Sequence, residues 1–274
     1  MSRVKSCFAN LQQANKKALI SYITAGDPHP DHTLELMHAL VEAGTDIIEI
    51  GVPFSDPMAD GPVIQAACER ALSHNTSLND VLKIVQAFRQ TNEYTPIILM
   101  GYQNPIEVFG LDKFALQAKG IVDGIITVDL PPEESAEAAK VYQNNEIDTI
   151  YLISPTTPET RVKFIADMAS GFLYYVSFKG ITGGSQLDIV SVEKKISQIR
   201  QQTQLPLAVG FGIKDAQSAG LVGGCADAVV VGSAIVSLIE KHADNITLAK
   251  QQITELLSSM RIALDNIEES QQIA

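Results

Sequence analysis

The sequence is poor in cysteine and in basic residues, and each shortage excludes a class of protein. The three cysteines, Cys7, Cys68 and Cys225, are odd in number and widely spaced, which fits neither a disulfide framework nor a zinc site. With 20 basic and 32 acidic residues, the formal net charge of −12 disfavours nucleic acids and anionic membranes as partners. A local site can still bind a small anion. We therefore expect a reducing, cytoplasmic compartment.

Long apolar segments are also scarce. The most apolar stretch, Ala226 to Ile239, is too short to span a bilayer and contains Asp227. The first residues lack the long apolar core of a secretion signal. The composition, 46% hydrophobic over 274 residues, suffices for one large core. We expect a single domain over residues 1–274, with a frayed polar tail from about residue 268.

Short apolar segments typical of buried parallel strands alternate with amphipathic helical segments along the whole chain. The predicted strands are Ala18–Thr24, Ile47–Ile50, Pro96–Met100, Gly124–Val128, Asp148–Ile153, Phe172–Ser177, Leu207–Val209 and Ala228–Val231. Eight strand–helix units predict an α/β fold, a (β/α)₈ or TIM barrel, with a doubly wound sheet as the main alternative. An extra N-terminal helix is predicted over Arg3–Asn15. The crossover after the second strand is extended, because helical patterns cover both Pro62–Ser73 and Asn79–Gln90.

The segment Asp27-Pro-His-Pro-Asp-His32 superficially suggests metal ligands. Its spacing matches no standard metal site, and Asp31 can instead cap a helix over His32–Glu42. We therefore expect no metal.

Glu49 is a carboxylate within an apolar, β-branched strand. Burial there raises its pKa toward the range useful for proton transfer at neutral pH. Strand alternation places Ile47 and Glu49 on the inner face of the barrel, near the strand's C-terminal end, where TIM-barrel chemistry takes place. Asp60 lies on the following loop, and the pair predicts a proton-transfer site. The alternatives are a structural role for Glu49 and electrostatic support of the next helix by Asp60.

Three glycine-containing turns follow the last three predicted strands: Gly180-Ile-Thr-Gly-Gly184, Gly210-Phe-Gly212 and Gly232-Ser233. Glycine lets backbone N–H groups approach an anion, and a helix N-terminus adds partial positive charge. Such loops bind phosphate in many TIM barrels. The alternative is that these glycines only close tight turns.

The run from Glu49 to Gly61, EIGVPFSDPMADG, resembles the signature of the tryptophan synthase alpha subunit family. Gly26-Asp-Pro28, the three glycine turns and Gly232-Ser-Ala-Ile-Val236 extend the resemblance over nearly the whole chain. It implies retro-aldol cleavage of indole-3-glycerol phosphate to indole and glyceraldehyde 3-phosphate. No cofactor is implied in this chain, whereas pyridoxal phosphate is expected in a partner beta subunit.

The resemblance also implies roles for individual residues. Glu49 would be the general acid–base, and Asp60 would accept a hydrogen bond from the indole N–H. The implied substrate-binding residues are Tyr22, Ile64, Met100 and Phe211 around the indole, Tyr174 near Glu49, Thr182 in a closing loop that bonds Asp60, and Gly183, Gly212, Gly232 and Ser233 at the phosphate. Tyr22 and the pair Phe178-Lys179 depart from the family's usual residues, the former adding a hydroxyl near the indole.

The resemblance implies an alpha₂beta₂ assembly in which indole passes to the beta subunit. The contacts would come from the loops around Pro53–Asp60 and Gln103–Pro105, with Asp129 in partner or loop contacts. Two alternatives remain: another phosphate-binding barrel enzyme, such as an isomerase or an aldolase with a Schiff base on Lys179, or a mainly regulatory subunit.

Overall fold

The computed structural model describes residues 2–177, 188–210 and 212–267. The strands are β1 (Ala18–Thr24), β2 (Ile47–Gly51), β3 (Ile97–Gly101), β4 (Gly124–Thr127), β5 (Asp148–Thr149), β6 (Tyr151–Ile153), β7 (Leu173–Val176), β8 (Leu207–Gly210) and β9 (Ala228–Val231). The helices are α1 (Arg3–Gln13), α2 (Pro30–Glu42), α3 (Pro62–Ser73), α4 (Leu78–Arg89), α5 (Gln103–Phe109), α6 (Leu111–Ala118), α7 (Ala136–Asn144), α8 (Glu159–Met168), α9 (Ile189–Arg200), α10 (Ala216–Gly223), α11 (Ser233–Lys241) and α12 (Ile246–Asp265).

The strands form one parallel sheet in the order β5-β4-β3-β2-β1-β9-β8-β7-β6. Only Ile150 separates β5 from β6 along the chain, and its N–H donates to Ile125 O at 3.0 Å. β5 pairs with β4, and β6 pairs with β7, so these two short strands share one place in the sheet. The sheet therefore closes into a TIM barrel, as predicted, and the doubly wound alternative is wrong.

The barrel interior is filled by inward-facing side chains and is closed at its N-terminal end by α1. The interior cluster draws its buried members from β1 to β4, β8 and β9, and from Ile150 and Phe172, which directly precede β6 and β7. It also includes Val4 and Phe8 of α1. The rings of Phe8 and Phe172 lie 5.8 Å apart. Ser2 fixes the start of α1, because its hydroxyl accepts from the Lys5 N–H and donates to Asp148 Oδ2. The predicted N-terminal helix is confirmed.

Side chains of β2 alternate between two layers of the core. Ile47 belongs to the barrel interior, whereas Ile48 and Ile50 pack in the layer between the strands and the helices. Glu49 therefore points into the barrel, as predicted. It lies opposite Tyr22 of β1 and Ile98 of β3 in the strand register.

The extended crossover after β2 is confirmed, since α3 and α4 both lie between β2 and β3. Ser77 begins α4 with a capping box: its hydroxyl accepts from the Asp80 N–H, and the Asp80 carboxylate accepts from the Ser77 N–H. These local hydrogen bonds stabilise the start of α4 without contacts to the barrel.

Two local predictions are wrong. Asp31 does not cap α2, because His29 is the N-cap residue and its Nδ1 accepts the Asp31 N–H, with Pro30 opening the helix. The segment around Gln103–Pro105 is not a loop but the first turn of α5. Proline is tolerated in a first turn, and Gly110 ends this helix with a φ of 91°.

Candidate active site

Glu49 lies in β2 at the C-terminal half of the barrel and is 1% exposed. Its Oε2 atom is buried and has no hydrogen-bond partner among the described residues. Burial, and secondarily the negative charge of Asp60, raises the pKa of Glu49 to about 8. The side chain is therefore mostly protonated at neutral pH, and it lacks the compensation that a structural buried carboxylate requires.

Asp60 lies in the loop between β2 and α3. Its Oδ2 accepts a hydrogen bond from the Tyr102 hydroxyl at 2.8 Å, and that hydroxyl accepts the Ala59 N–H at 3.0 Å. Burial raises the pKa of Asp60, while the hydrogen bond from Tyr102 opposes the rise. The N-cap of α3 is Gly61, so Asp60 makes no side-chain cap of that helix.

Two tyrosines flank the carboxylates and remain neutral. Burial, together with nearby groups that include Glu49 and Asp60, raises the pKa of Tyr22 and of Tyr174 well above the usual value. The Tyr22 hydroxyl hydrogen-bonds Thr24 Oγ1 at 3.1 Å. It also lies so close to Gly51 that an added Cβ there would overlap it, and Tyr174 has the same relation to Gly210. Each tyrosine ring therefore fits only because the neighbouring strand has a glycine, without a side chain, at that position.

One wall of the site is apolar. Tyr22 packs in a cluster with Ala67 of α3 and Val236 of α11, and Ile64 and Met100 pack against it. An aromatic ring beside aliphatic side chains suits a flat, mainly apolar ligand group.

These side chains border one cavity of about 1220 Å³. Nine of the predicted site residues line it: Tyr22, Glu49, Asp60, Ile64, Met100, Tyr174, Gly212, Gly232 and Ser233. Predictions for Thr182, Gly183, Phe211 and the pair Phe178-Lys179 fall outside the described residues. A single concave site therefore holds both carboxylates, the apolar wall and the described turn residues Gly212, Gly232 and Ser233.

One of the predicted glycine turns, Gly232-Ser233, lies at the start of α11. Gly232 is the N-cap of this nine-residue helix and supplies no side-chain cap. The first N–H groups of any helix lack intrahelical acceptors, so they are available to an anion in the cavity. Gly212 has a φ of 80°, a conformation that favours glycine.

Other candidate residues have structural partners. Asp27, fully buried, accepts from Arg70 Nε and Nη2 at 2.7 and 3.0 Å. Asp56 is exposed and accepts from the Ser55 hydroxyl, and Asp129 Oδ1 accepts the Gln103 N–H at 2.8 Å. Within the described ranges, no three histidine, cysteine or acidic side chains could together hold a metal ion. All three cysteines are free thiols.

Tyr102 reaches the site through its hydrogen bond to Asp60, and sequence reasoning missed it. It directly follows β3, at the same end of the barrel as Glu49, and this position was the available signal. Its hydrogen bond to Asp60 joins residues 42 positions apart. A local sequence pattern cannot predict a contact between residues so far apart in the chain.

The family model of the tryptophan synthase alpha chain matches residues 8–265. The chain belongs to the tryptophan synthase alpha chain family. It is 54% identical over 266 residues to the alpha chain of Thioalkalivibrio sulfidiphilus, covering 97% of this chain and 100% of that one. It is also 54% identical over 265 residues to the alpha chain of Chromobacterium violaceum, covering 96% and 100%.

Solved structures agree with these matches. The tryptophan synthase alpha subunit of Legionella pneumophila is 47% identical, with a TM-score of 0.91 and coverage of 97% of this chain and 99% of that one. A chain of the alpha₂beta₂ tryptophan synthase complex of Pyrococcus furiosus is 37% identical, with a TM-score of 0.82 and coverage of 89% and 98%. The resemblance inferred from the Glu49–Gly61 motif is confirmed.

Membership of the tryptophan synthase alpha chain family makes this chain a lyase of tryptophan biosynthesis. None of the described helices is both long and apolar enough to cross a membrane.

Proposed function

We propose that this chain catalyses the alpha reaction of tryptophan synthase, the retro-aldol cleavage of indole-3-glycerol phosphate, with Glu49 and Asp60 as its catalytic pair. The observation that carries the proposal is Glu49 itself: an inward-facing carboxyl with a buried, unpartnered oxygen and a pKa of about 8, beside a second carboxylate. A group poised in this way can give and take a proton near neutral pH.

The two carboxyl groups have different tasks. Protonated Glu49 donates its proton to indole C3, so the ring becomes an iminium-like leaving group. Asp60 accepts a hydrogen bond from the indole N–H and stabilises the positive charge that develops there. Glu49, now a carboxylate, takes the proton from the hydroxyl on the glycerol carbon that is bonded to indole C3. The carbon–carbon bond then breaks, its electrons return to the indole ring, and the hydroxyl carbon becomes the aldehyde.

The cavity lining fits the two ends of this substrate. Tyr22, Ile64 and Met100 form the indole wall, with Phe211 as a further expected contact, and Tyr174 lines the cavity close to Glu49. Gly212, Gly232 and Ser233 offer backbone and hydroxyl donors to the phosphate, and we expect Gly183 to add another. Thr182 is expected to close over the substrate and bond Asp60.

We further propose that a beta subunit binds this chain and receives the indole. The contact would involve Pro53–Asp60 and the first turn of α5, Gln103–Pro105. Met58 in the first segment, and Val108 near the end of α5, are strongly exposed apolar residues, as an interface requires. The reaction uses no cofactor on this chain, and pyridoxal phosphate belongs to the partner. Free thiols and the family's activity support a cytoplasmic location.

An indole-release assay tests the function. The parent chain should release indole from indole-3-glycerol phosphate, and Glu49→Gln should lower kcat by about 10³-fold or more while substrate binding persists. Exposed Glu69→Gln is the matched control and should behave like the parent. Near-normal turnover by Glu49→Gln would contradict the proposal.

Two further measurements separate the alternatives. Adding a beta subunit should raise the rate of indole release, and the two proteins should co-elute. Borohydride added during turnover should leave the chain unmodified, whereas an adduct on Lys179 would support a Schiff-base aldolase instead.

A further inference from the structure

We propose that Tyr102 is a positioning residue for Asp60, holding one carboxylate oxygen so that the other faces the substrate. This inference rests on the proposed function, in which Asp60 must present an oxygen to the indole N–H. Tyr102 does not itself line the cavity formed by the described residues, so its effect passes through Asp60.

The contact is a directed chain of hydrogen bonds. The Ala59 N–H donates to the Tyr102 hydroxyl at 3.0 Å, and that hydroxyl donates to Asp60 Oδ2 at 2.8 Å. A phenol that accepts one hydrogen bond becomes a better donor in the next, so the two bonds reinforce each other. Asp60 Oδ1 takes part in no hydrogen bond with a described residue, and it is the oxygen left for the indole N–H.

Asp60 needs such a support because it lies on a loop. The loop has its own turn, closed by the Asp60 N–H donating to Pro57 O at 3.0 Å. That bond fixes the backbone and leaves the carboxylate free to rotate. Catalytic geometry is more precise when a loop side chain is tied to a rigid element.

Tyr102 is that rigid element. It directly follows β3, and the flanking backbone is paired on both sides: the Val52 N–H donates to Met100 O at 2.8 Å and the Val128 N–H to Gly101 O at 2.9 Å. Its side chain is buried, and its ring lies 5.1 Å from that of Phe54. The hydroxyl therefore has a fixed position relative to the barrel.

The same contact has an electrostatic consequence. The hydrogen bond from Tyr102 lowers the pKa of Asp60 against the effect of burial, so it favours the anion that the reaction needs. Burial, with the Asp60 bond and charge, raises the pKa of Tyr102, which keeps it a neutral donor. The other titratable groups that Asp60 influences are Glu49 on β2, Tyr22 on β1, Tyr174 on β7 and Cys68 on α3.

The test is the pH profile of indole release by Tyr102→Phe. Without the hydroxyl, the pKa of Asp60 rises, so the acid limb of kcat/KM moves to higher pH. We expect kcat to fall about 10-fold to 100-fold, with KM within about threefold, because hydrogen bonds to charged groups have this strength and Asp60 acts on charge that develops in the transition state. Tyr175→Phe, which alters a buried tyrosine on the outer face of β7, should match the parent.

A double variant isolates the path through Asp60. In an Asp60→Asn background, Tyr102→Phe should lower the residual rate by less than about twofold, since the partner carboxylate is already absent. If Tyr102→Phe retains the parent kcat and acid limb, the inference is wrong. If the parent chain releases no indole at all, the proposed function fails instead.

A second substitution at the same position, one that preserves packing, controls for a folding defect in Tyr102→Phe. 3-Fluorotyrosine at position 102 keeps the ring and has a more acidic hydroxyl, which is a stronger donor. The acid limb should then move to lower pH, opposite to its movement in Tyr102→Phe. An unmoved limb in this folded, nearly isosteric variant would overturn the inference.

Discussion

Two buried carboxylates at opposite ends of the barrel have opposite surroundings. At the N-terminal end, Asp123 is 5% exposed, and its oxygens accept from Arg3 Nη1 at 2.9 Å, Arg89 Nη2 at 2.6 Å and the Ile97 N–H at 2.8 Å. At the C-terminal end, Glu49 has a buried oxygen with no hydrogen-bond partner among the described residues. The chain compensates the buried charge of Asp123 with two guanidiniums, and leaves the carboxyl of Glu49, the proposed proton donor, without such compensation.

The largest expected stability effect comes from breaking the compensated site. Asp123→Asn removes the anion between two guanidiniums and leaves Arg89, itself largely buried, without its counter-charge. Breaking a buried pair in this way costs about 3–5 kcal/mol of unfolding free energy. Urea unfolding of the two proteins measures the difference.

The matched control is Asp167→Asn, whose partner Lys163 lies 3.4 Å away with both side chains exposed. That change should cost less than about 0.5 kcal/mol. Equal losses in the two variants would remove the distinction between the compensated site and an ordinary surface pair.

The uncompensated site should show the reverse effect, a gain in stability when its ionisable carboxyl is replaced by a neutral amide. The pKa of Glu49 is about 8 in the folded chain against 4.5 for the free side chain, so the folded state holds the proton more tightly. Its stabilising contribution is complete below about pH 4.5 and is lost as pH rises toward 8. Glu49→Gln has no such loss and should exceed the parent by about 3 kcal/mol at pH 7.

Urea unfolding at pH 5 and at pH 7 checks this dependence. The advantage of Glu49→Gln should be small at the lower pH and grow at the higher one, whereas Glu69→Gln, on the surface, should show no such trend. A gain that is the same at both values would mean that the Glu49 carboxyl is not held protonated by the fold.

The pKa of Glu49 also determines the pH above which activity declines. In the proposed mechanism protonated Glu49 is the acid that reacts with indole C3, so kcat/KM should fall about tenfold per pH unit above pH 8. A rate-against-pH profile of the parent measures it. Tyr102→Phe should leave this alkaline limb near its parent position while moving the acid limb, and a profile that stays flat through pH 9 would contradict the assignment of Glu49 as the acid.

The features of the fold and of the two carboxylate sites that depend on local sequence patterns could be predicted from the sequence. β-branched runs gave the strands, and a charge among Ile47, Ile48 and Ile50 marked Glu49. A helix with Pro105 in its first turn was mistaken for a loop, because proline and glycine mark both loops and helix ends. His29 was overlooked as the cap of α2, since histidine is not among the usual capping residues.

The missed contacts are those between distant segments. The bond from Tyr102 to Asp60, like the bonds of Asp123 to Arg3 and Arg89, depends on which strand ends become neighbours after the barrel closes. Periodicity shows which face a side chain takes, but not which partner it meets there. Glu49 was identifiable because burial in an apolar strand alters the chemistry of a carboxyl, whereas a residue such as Tyr102, which holds another side chain, acts through geometry.

The smallest expected effect tests whether every hydroxyl at the catalytic end matters equally. Tyr22 borders the cavity, but its hydroxyl bonds Thr24 rather than a carboxylate. Tyr22→Phe should therefore cost about 0.5–1.5 kcal/mol of stability, the value of one neutral hydrogen bond, and change the rate of indole release by less than about threefold. Urea unfolding and the indole assay measure the two quantities. A loss of activity as large as that of Tyr102→Phe would mean that the Tyr22 hydroxyl acts on the substrate. The near-parent rate that we expect would place Tyr22 with Asp123, among groups whose hydrogen bonds serve the fold, even though it lies at the catalytic end of the barrel.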